Sequence, residues 1–253
     1  MASNPSSQVY FVTGANRGLG FGFVSALLSR PNTTVIATVR NDEAAQSLET
    51  QAQDIPLVDS TALHIIKLDF STAVPPEKIS EAITALPAVD HIDVLISNAG
   101  CVPPMAPAAM TSAEHLRAAF EVNTIAPLLL FQAAWPLLQK AAIPKMISIT
   151  SSVGSIGGQE PFFGGAYGPS RAAGNWITRA LHIQHEGLVA IALHPGWVQT
   201  RAGYFVADQW NYATGPPETI ENSVTKMLQV IDDATRETTS GKFLSYTSHE
   251  IPW

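Results

Sequence analysis

The sequence predicts a doubly wound α/β fold, with a parallel sheet of about seven strands between two layers of helices. Three observations predict it. Short β-branched runs alternate with longer stretches of helical character, the pattern of successive βαβ units. Several runs are apolar on both faces, as in Val94-Leu95-Ile96, which suits strands covered by helices on either side. No internal repeat or low-complexity linker divides the 253 residues, so one domain over residues 1–253 is expected.

In chain order the strand runs are Val9–Thr13, Thr34–Thr38, Leu63–Leu68, Val94–Ser97, Lys145–Ser151, Val189–His194 and Phe243–Ser245. The candidate helices between them are Leu19–Leu28, Asp42–Gln51, Pro76–Leu86, Ser112–Leu138, Ala166–His185 and Glu218–Asp232. Pro127 is expected to kink the fourth, because it lacks an N–H and clashes with the preceding turn. The segment Thr200–Pro217 differs in character. It carries Tyr204, Phe205, Trp210 and Tyr212, then Gly215-Pro216-Pro217. Aromatic residues in an irregular stretch after a strand read as a mobile lid over an apolar ligand; the plainer alternative is an insertion that packs a small core of its own.

Composition excludes several classes. A formal net charge of −7 with only 14 Lys and Arg argues against nucleic-acid binding. The single cysteine, Cys101, allows no intrachain disulfide and fits a reducing, cytoplasmic setting. Met1 to Gln8 lacks the basic and apolar regions of a signal peptide. The most apolar stretch, Ile125–Leu138, is interrupted by Pro127, Gln132 and Pro136 and falls short of the roughly 20 apolar residues of a membrane span.

The first strand runs into Thr13-Gly14-Ala15-Asn16-Arg17-Gly18-Leu19-Gly20, where a helix starts. Glycines let the turn tighten and let backbone approach a pyrophosphate. The helix N-terminus offers free N–H groups and the positive end of a dipole. The spacing is G-x-x-x-G-x-G, not the general G-x-G-x-x-G, and either pattern alone is weak. Its place after the first strand of a βα series favours a Rossmann-type dinucleotide site over a turn that binds nothing. The second strand ends at Thr38-Val39-Arg40 with no acid to bond a ribose 2′-hydroxyl. Arg40 and Arg17, with Asn41 beside them, suit a 2′-phosphate instead, so NADP(H) is expected. Two solvated arginines are the alternative.

Four further segments fall where strands four, five and six should end: Ser97-Asn98-Ala99-Gly100, Ser151-Ser152, Tyr167-Gly168-Pro169-Ser170-Arg171 and Pro195-Gly196-Trp197-Val198-Gln199-Thr200. In open α/β sheets such ends converge on one ligand crevice. The order TGxxxGxG, NAG, VNT, SS, Y-x-x-x-basic and PG-x-x-x-T resembles the classical short-chain dehydrogenase/reductase family over nearly the whole chain. The run Val153-Gly154-Ser155-Ile156-Gly157-Gly158, the segment His194–Thr200 and the stretch from Ser240 to Trp253, with its Glu250-Ile251-Pro252-Trp253, resemble the norsolorinic acid ketoreductase-like branch. That branch sits near the C-factor type of carbonyl reductase.

The resemblance implies roles. Gly14, Gly18 and Gly20, with Asn16, Arg17 and Leu19, shape the pyrophosphate turn. Asp69, followed by Phe70, contacts the adenine side. Asn98, Ala99 and Gly100 line the cofactor wall. Asn123 holds a water and a local distortion of the long helix. Ser152 orients the substrate oxygen, with Ser151 as an alternative, and Tyr167 donates the proton. Pro195, Gly196, Val198 and Thr200 hold the nicotinamide. The chemistry is coherent in itself. Carbonyl reduction needs a hydride and a proton for the developing alkoxide. A nearby cation favours a phenolate, and a serine hydroxyl stabilises charge on the oxygen.

One position departs from the family. Its basic residue is lysine, where this chain has Arg171. Arginine keeps the charge but is planar, larger and effectively never deprotonated, so it cannot serve as a neutral proton relay. Three readings stay open. The first is a reductase of an apolar, aromatic, polycyclic or polyketide-like ketone, with Arg171 anchoring the ribose and tuning Tyr167. The second is a redox-neutral isomerase, dehydratase or cyclase of secondary metabolism that keeps its dinucleotide, and the third is a non-catalytic NADP(H) sensor. His182 and His185 lie one helical turn apart but have no third ligand nearby in sequence, so they read as surface residues and no metal is expected. His194 reads as a packed or backbone-bonded histidine, and Cys101 as a small buried hydrophobe. The resemblance also implies pairing of subunits through the Ser112–Leu138 and Ala166–His185 helices, as a homodimer or homotetramer.

Overall fold

The computed structural model describes residues 7–56 and 58–253; of the N-terminal segment read for a signal peptide, residues 1–6 lie outside them. Seven strands form one sheet: β1 (Gln8–Val12), β2 (Thr33–Val39), β3 (Ala62–Lys67), β4 (Val94–Ser97), β5 (Lys145–Ile149), β6 (Val189–His194) and β7 (Phe243–Ser245). Their order is β3-β2-β1-β4-β5-β6-β7, and every pairing is parallel. The helices are α1 (Gly18–Leu28), α2 (Asp42–Ala52), α3 (Pro76–Thr84), α4 (Ala113–Phe120), α5 (Ala126–Leu138), α6 (Tyr167–Gln184), α7 (Arg201–Gln209) and α8 (Ile220–Asp232).

The runs apolar on both faces have their explanation in two cores. Along β1, Tyr10 and Val12 face a core with residues of α1, α2 and α8, while Val9 and Phe11 face one with residues of α3, α5 and α6. Successive side chains of a strand point to opposite faces, so one short strand feeds both. The strand order reverses between β1 and β4, and all carboxyl ends lie along one edge, which opens a crevice there.

The Ser112–Leu138 stretch is helical from Ala113 to Leu138, because α4, a π-turn at Glu121–Ile125 and α5 follow one another without a break; the expected distortion falls in that turn, just before Pro127. One expectation is corrected. The Thr200–Pro217 segment is not irregular throughout, because α7 occupies its first half. Thr200 caps that helix, its Oγ1 accepting from Gly203 N–H at 3.0 Å.

Candidate active site

The glycine turn is tight for a visible reason. Gly14 and Gly18 have φ of +64° and +55°, in the left-handed region. A Cβ on Gly20 would collide with the carbonyl oxygen of Gly14, and one on Gly14 would meet Ala99 Cα at 3.1 Å. Arg17 provides no side-chain cap to α1, so the first N–H groups of that helix stay free. Asn16 is held from behind, its carbonyl accepting from Gln51 Nε2 at 3.1 Å. Leu19 is half-buried.

Thr13, which the sequence reading passed over, joins the turn to the next strand end. Its Oγ1 accepts from both Asn98 N–H and Ala99 N–H at 2.9 Å, and Asn98 Nδ2 donates to Thr13 O at 2.8 Å. Its place directly before Gly14 was the available signal. Arg40, Asn41 and Arg17 are exposed at the same edge. Asn41 Oδ1 caps α2 by accepting from Ala44 N–H at 2.9 Å. The neighbouring acid, Asp42, pairs with Lys67 at 2.6 Å. Asp69 closes a local turn onto Ser71 N–H at 2.9 Å, and Phe70 is buried behind it.

At the other end, β5 leads into a 3₁₀ turn, Ser152–Gly154. Ser151 Oγ accepts from Val153 N–H at 3.3 Å, whereas among the described residues no hydrogen bond within the protein occupies Ser152 Oγ. Ser152 N–H donates to His194 Nδ1 at 3.3 Å. Burial pushes the His194 imidazole down to about 4, so the ring is neutral and its Nδ1 lone pair is available. His194 is thus packed and backbone-bonded, as read from the sequence.

Tyr167 opens α6, and Arg171 follows one turn later on the same face. The guanidinium carbon lies 5.1 Å from the centroid of the Tyr167 ring. Arg171 is only 7% exposed, and its Nη1 donates to Ile149 O at 3.0 Å. A Cβ on Gly100 would collide with its Nη2, and one on Gly154 would stand 2.7 Å from its Cβ. Gly100 therefore leaves room for the guanidinium, and Gly154 lets the backbone of α6 approach. The Arg171 Nε is buried without a partner among the described residues.

Asn123 sits in the π-turn, 2% exposed. Its side-chain amide makes a two-way bridge with the Cys101 main chain at 2.8 Å each way and donates to Ser170 Oγ at 2.9 Å. Ser170 in turn donates to Tyr167 O at 2.7 Å, so Asn123 and the start of α6 are joined through a serine the sequence reading did not single out. Cys101 is half-buried, and burial raises its thiol with Arg171 opposing more weakly.

The segment after β6 closes the crevice. Gly196 has φ +82° and rests against Tyr246; Val198 is 4% exposed and bridges to Glu218. Pro195 O accepts from Ser223 Oγ at 2.7 Å. A Cβ on Gly18 would meet the Thr200 methyl at 3.5 Å, so this segment reaches the glycine turn. Beyond it stands an aromatic group: Trp210 stacks on Phe162 at 4.6 Å, and Trp197 meets Trp210 at 5.7 Å and Tyr212 at 4.8 Å.

His182 and His185 lie at the surface but are half-buried and engaged by neighbours. His182 Nδ1 lies 2.8 Å from Ser240 Oγ, and the His185 ring packs on Trp135 at 4.5 Å. Among the described residues no group of three or more His, Cys, Asp or Glu is placed to hold a metal ion. No helix among them is long and apolar enough to cross a membrane.

The comparisons agree with this geometry. The short chain dehydrogenase family model matches residues 8–209. The chain is 37% identical to short-chain dehydrogenase RED3 of Pyricularia oryzae, covering 98% of this chain and 99% of the relative. It is 33% identical to the norsolorinic acid ketoreductase of Aspergillus parasiticus, over 98% of this chain and 92% of that one. The NADPH-bound carbonyl reductase from chicken fatty liver superposes with a TM-score of 0.80 at 31% identity, over 99% and 96% of the two chains. The chain belongs to the short-chain dehydrogenase family of oxidoreductases.

Proposed function

We propose that the protein is one domain over residues 1–253 that reduces an apolar aromatic, polycyclic or polyketide-like ketone to an alcohol with NADPH, with Tyr167 as proton donor. The observation that carries this reading is the Arg171 guanidinium, fixed on Ile149 O beside the Tyr167 ring. A buried cation at that place makes sense as a partner for a phenolate.

The residues present fit the dinucleotide. The turn needs Gly14 and Gly18 for their positive φ and Gly20 for close approach to Gly14 O, and it presents free N–H groups to a pyrophosphate. Arg40 and Arg17 would take the 2′-phosphate, and Asp42 beside them is paired with Lys67. Asp69 and Phe70 would border the adenine, Asn98 to Gly100 would line the wall, and Pro195, Gly196, Val198 and Thr200 would hold the nicotinamide. When bound, the nicotinamide supplies the hydride. NADPH in the related carbonyl reductase supports the same choice here.

Ser152 donates a hydrogen bond to the substrate oxygen, its main chain held by neutral His194. Tyr167 gives that oxygen its proton as the carbonyl carbon gains hydride, and the phenolate left behind faces Arg171. Arg171 keeps its proton throughout, so Tyr167 is recharged by water reaching its own hydroxyl. Asn123 positions this end through Ser170. The cluster of Phe162, Trp197, Trp210 and Tyr212 supports an aromatic substrate and a lid near residues 200–217. Exposed Trp176 and Ile183 on α6, 70% and 67% accessible, support a homodimer or homotetramer. The single cysteine suits the cytoplasm.

The test follows NADPH oxidation with a panel of aromatic and fused-ring ketones and isolates the alcohol. Wild type turns over at least one of them. Tyr167→Phe loses about 10²–10⁴-fold in kcat while NADPH affinity stays within about twofold. Equal turnover by the two proteins would remove Tyr167 from the chemistry.

A further inference from the structure

The run Ser155-Ile156-Gly157-Gly158 and the stretch Glu250-Ile251-Pro252-Trp253 are far apart in sequence, and the reaction uses neither. In the fold they meet. After β7 the chain turns back at Ser248, where φ is +64°, and lies against the strand. Ser245 N–H donates to His249 O and Ile251 N–H to Phe243 O, each at 2.8 Å. The segment leaving this turn then runs onto the loop that follows the 3₁₀ turn of Ser152. Ser155 Oγ donates to Pro252 O at 2.5 Å, and the Ile156 and Gly157 N–H groups donate to Trp253 O at 3.1 and 2.7 Å. The Trp253 ring is seated between Phe243, at 5.8 Å, and the Arg179 guanidinium, at 5.5 Å.

The glycines belong to the same contact. A Cβ on Gly157 would stand 3.2 Å from both Pro252 Cβ and Trp253 O, and one on Gly158 would stand 3.0 Å from Ser155 Oγ. Ser155 Oγ also accepts from Gly158 N–H at 2.9 Å. Three hydrogen bonds and two small residues thus fix the root of the loop to a segment anchored on the sheet. The far part of that loop carries Phe162 and Phe163, 44% and 56% exposed, and Trp210 holds it by stacking on Phe162 and donating to Phe163 O at 3.0 Å. Beyond Phe163 the chain enters α6 at Tyr167.

We propose that Glu250–Trp253 is a positioning segment for the substrate wall: by fixing the loop root at Ser155–Gly158, it sets where Phe162 stands and so which ring sizes fit beside Tyr167. Ser155 and Trp253 touch no reacting atom and act through the loop. The substrate half of this inference rests on the ketone-reduction reading.

The experiment compares wild type, Ser155→Ala and Trp253→Ala on a single-ring and a three-ring fused ketone, with Trp253→Phe as the conservative variant. Amide exchange over residues 155–158 is measured on the same proteins. Both alanine variants should raise KM for the fused-ring ketone about fivefold or more, with kcat within about twofold and the single-ring ketone little changed. Exchange at Ile156 and Gly157 should quicken about tenfold in both, and Trp253→Phe should restore both readouts. Unchanged exchange and an unchanged KM ratio in both alanine variants would overturn the proposal, as would equal losses on the two ketones. If no version, wild type included, reduces any ketone, the reductase reading fails; faster exchange in the variants would still establish the loop contact.

Discussion

The two ends of the crevice are built from different materials. The phosphate end, between β1 and β4, is almost entirely main chain: glycines at positive φ, free N–H groups of α1, and a threonine that draws two strand ends together. The chemical end, beyond β5 and β6, presents side chains tied into their surroundings: Arg171 to Ile149 O, Asn123 to the Cys101 main chain and Ser170 Oγ, and the Ser152 main chain to the His194 ring. A main-chain site has few groups that titrate and tolerates little substitution at its glycines. A side-chain site can change its chemistry by one residue and depends on protonation.

The difference is sharpened first by acid. The folded His194 imidazole takes a proton near pH 4, and the unfolded one near its ordinary 6.5. The unfolded state therefore binds more protons between these values, so stability is full above about pH 6.5 and falls as pH drops toward 4. The loss should reach about 2–3 kcal/mol in denaturant melts. His194→Asn keeps an acceptor for Ser152 N–H and should flatten that slope. Equal acid loss in the two proteins would place the sensitivity elsewhere. A smaller effect is expected at the phosphate end, from one of its few side chains. Arg40→Ala should weaken NADPH about tenfold in fluorescence titration and NADH hardly at all. Equal loss for both dinucleotides would remove Arg40 from the 2′-phosphate.

The same contrast governs how much was legible in the sequence. The sheet was, because β-branched runs with apolar residues on both faces have few other uses, and the phosphate turn was, because glycines at a strand end mark main-chain geometry. The helix at Arg201–Gln209 was not. Gly203 argues against a helix by propensity, yet a Cβ there would collide with Val198 O, and Trp197 Nε1 donates to Gly203 O at 3.1 Å. The slot for Arg171 was hidden for a similar reason. It depends on Gly100, after β4, facing the guanidinium, and on Gly154, after β5, letting the backbone of α6 come close. The packing of His182 and His185 also depends on partners distant in sequence, Ser240 and Trp135.

The central claim is that an arginine, which keeps its proton throughout, serves ketone reduction at this site. The most direct measurement follows NADPH oxidation by wild type and Arg171→Lys side by side on the same aromatic ketones. The account predicts turnover by wild type, with the lysine variant no better, because the space against Gly100 and the carbonyl of Ile149 receive a guanidinium. Turnover by Arg171→Lys alone would contradict it and point to a site diverted to redox-neutral chemistry.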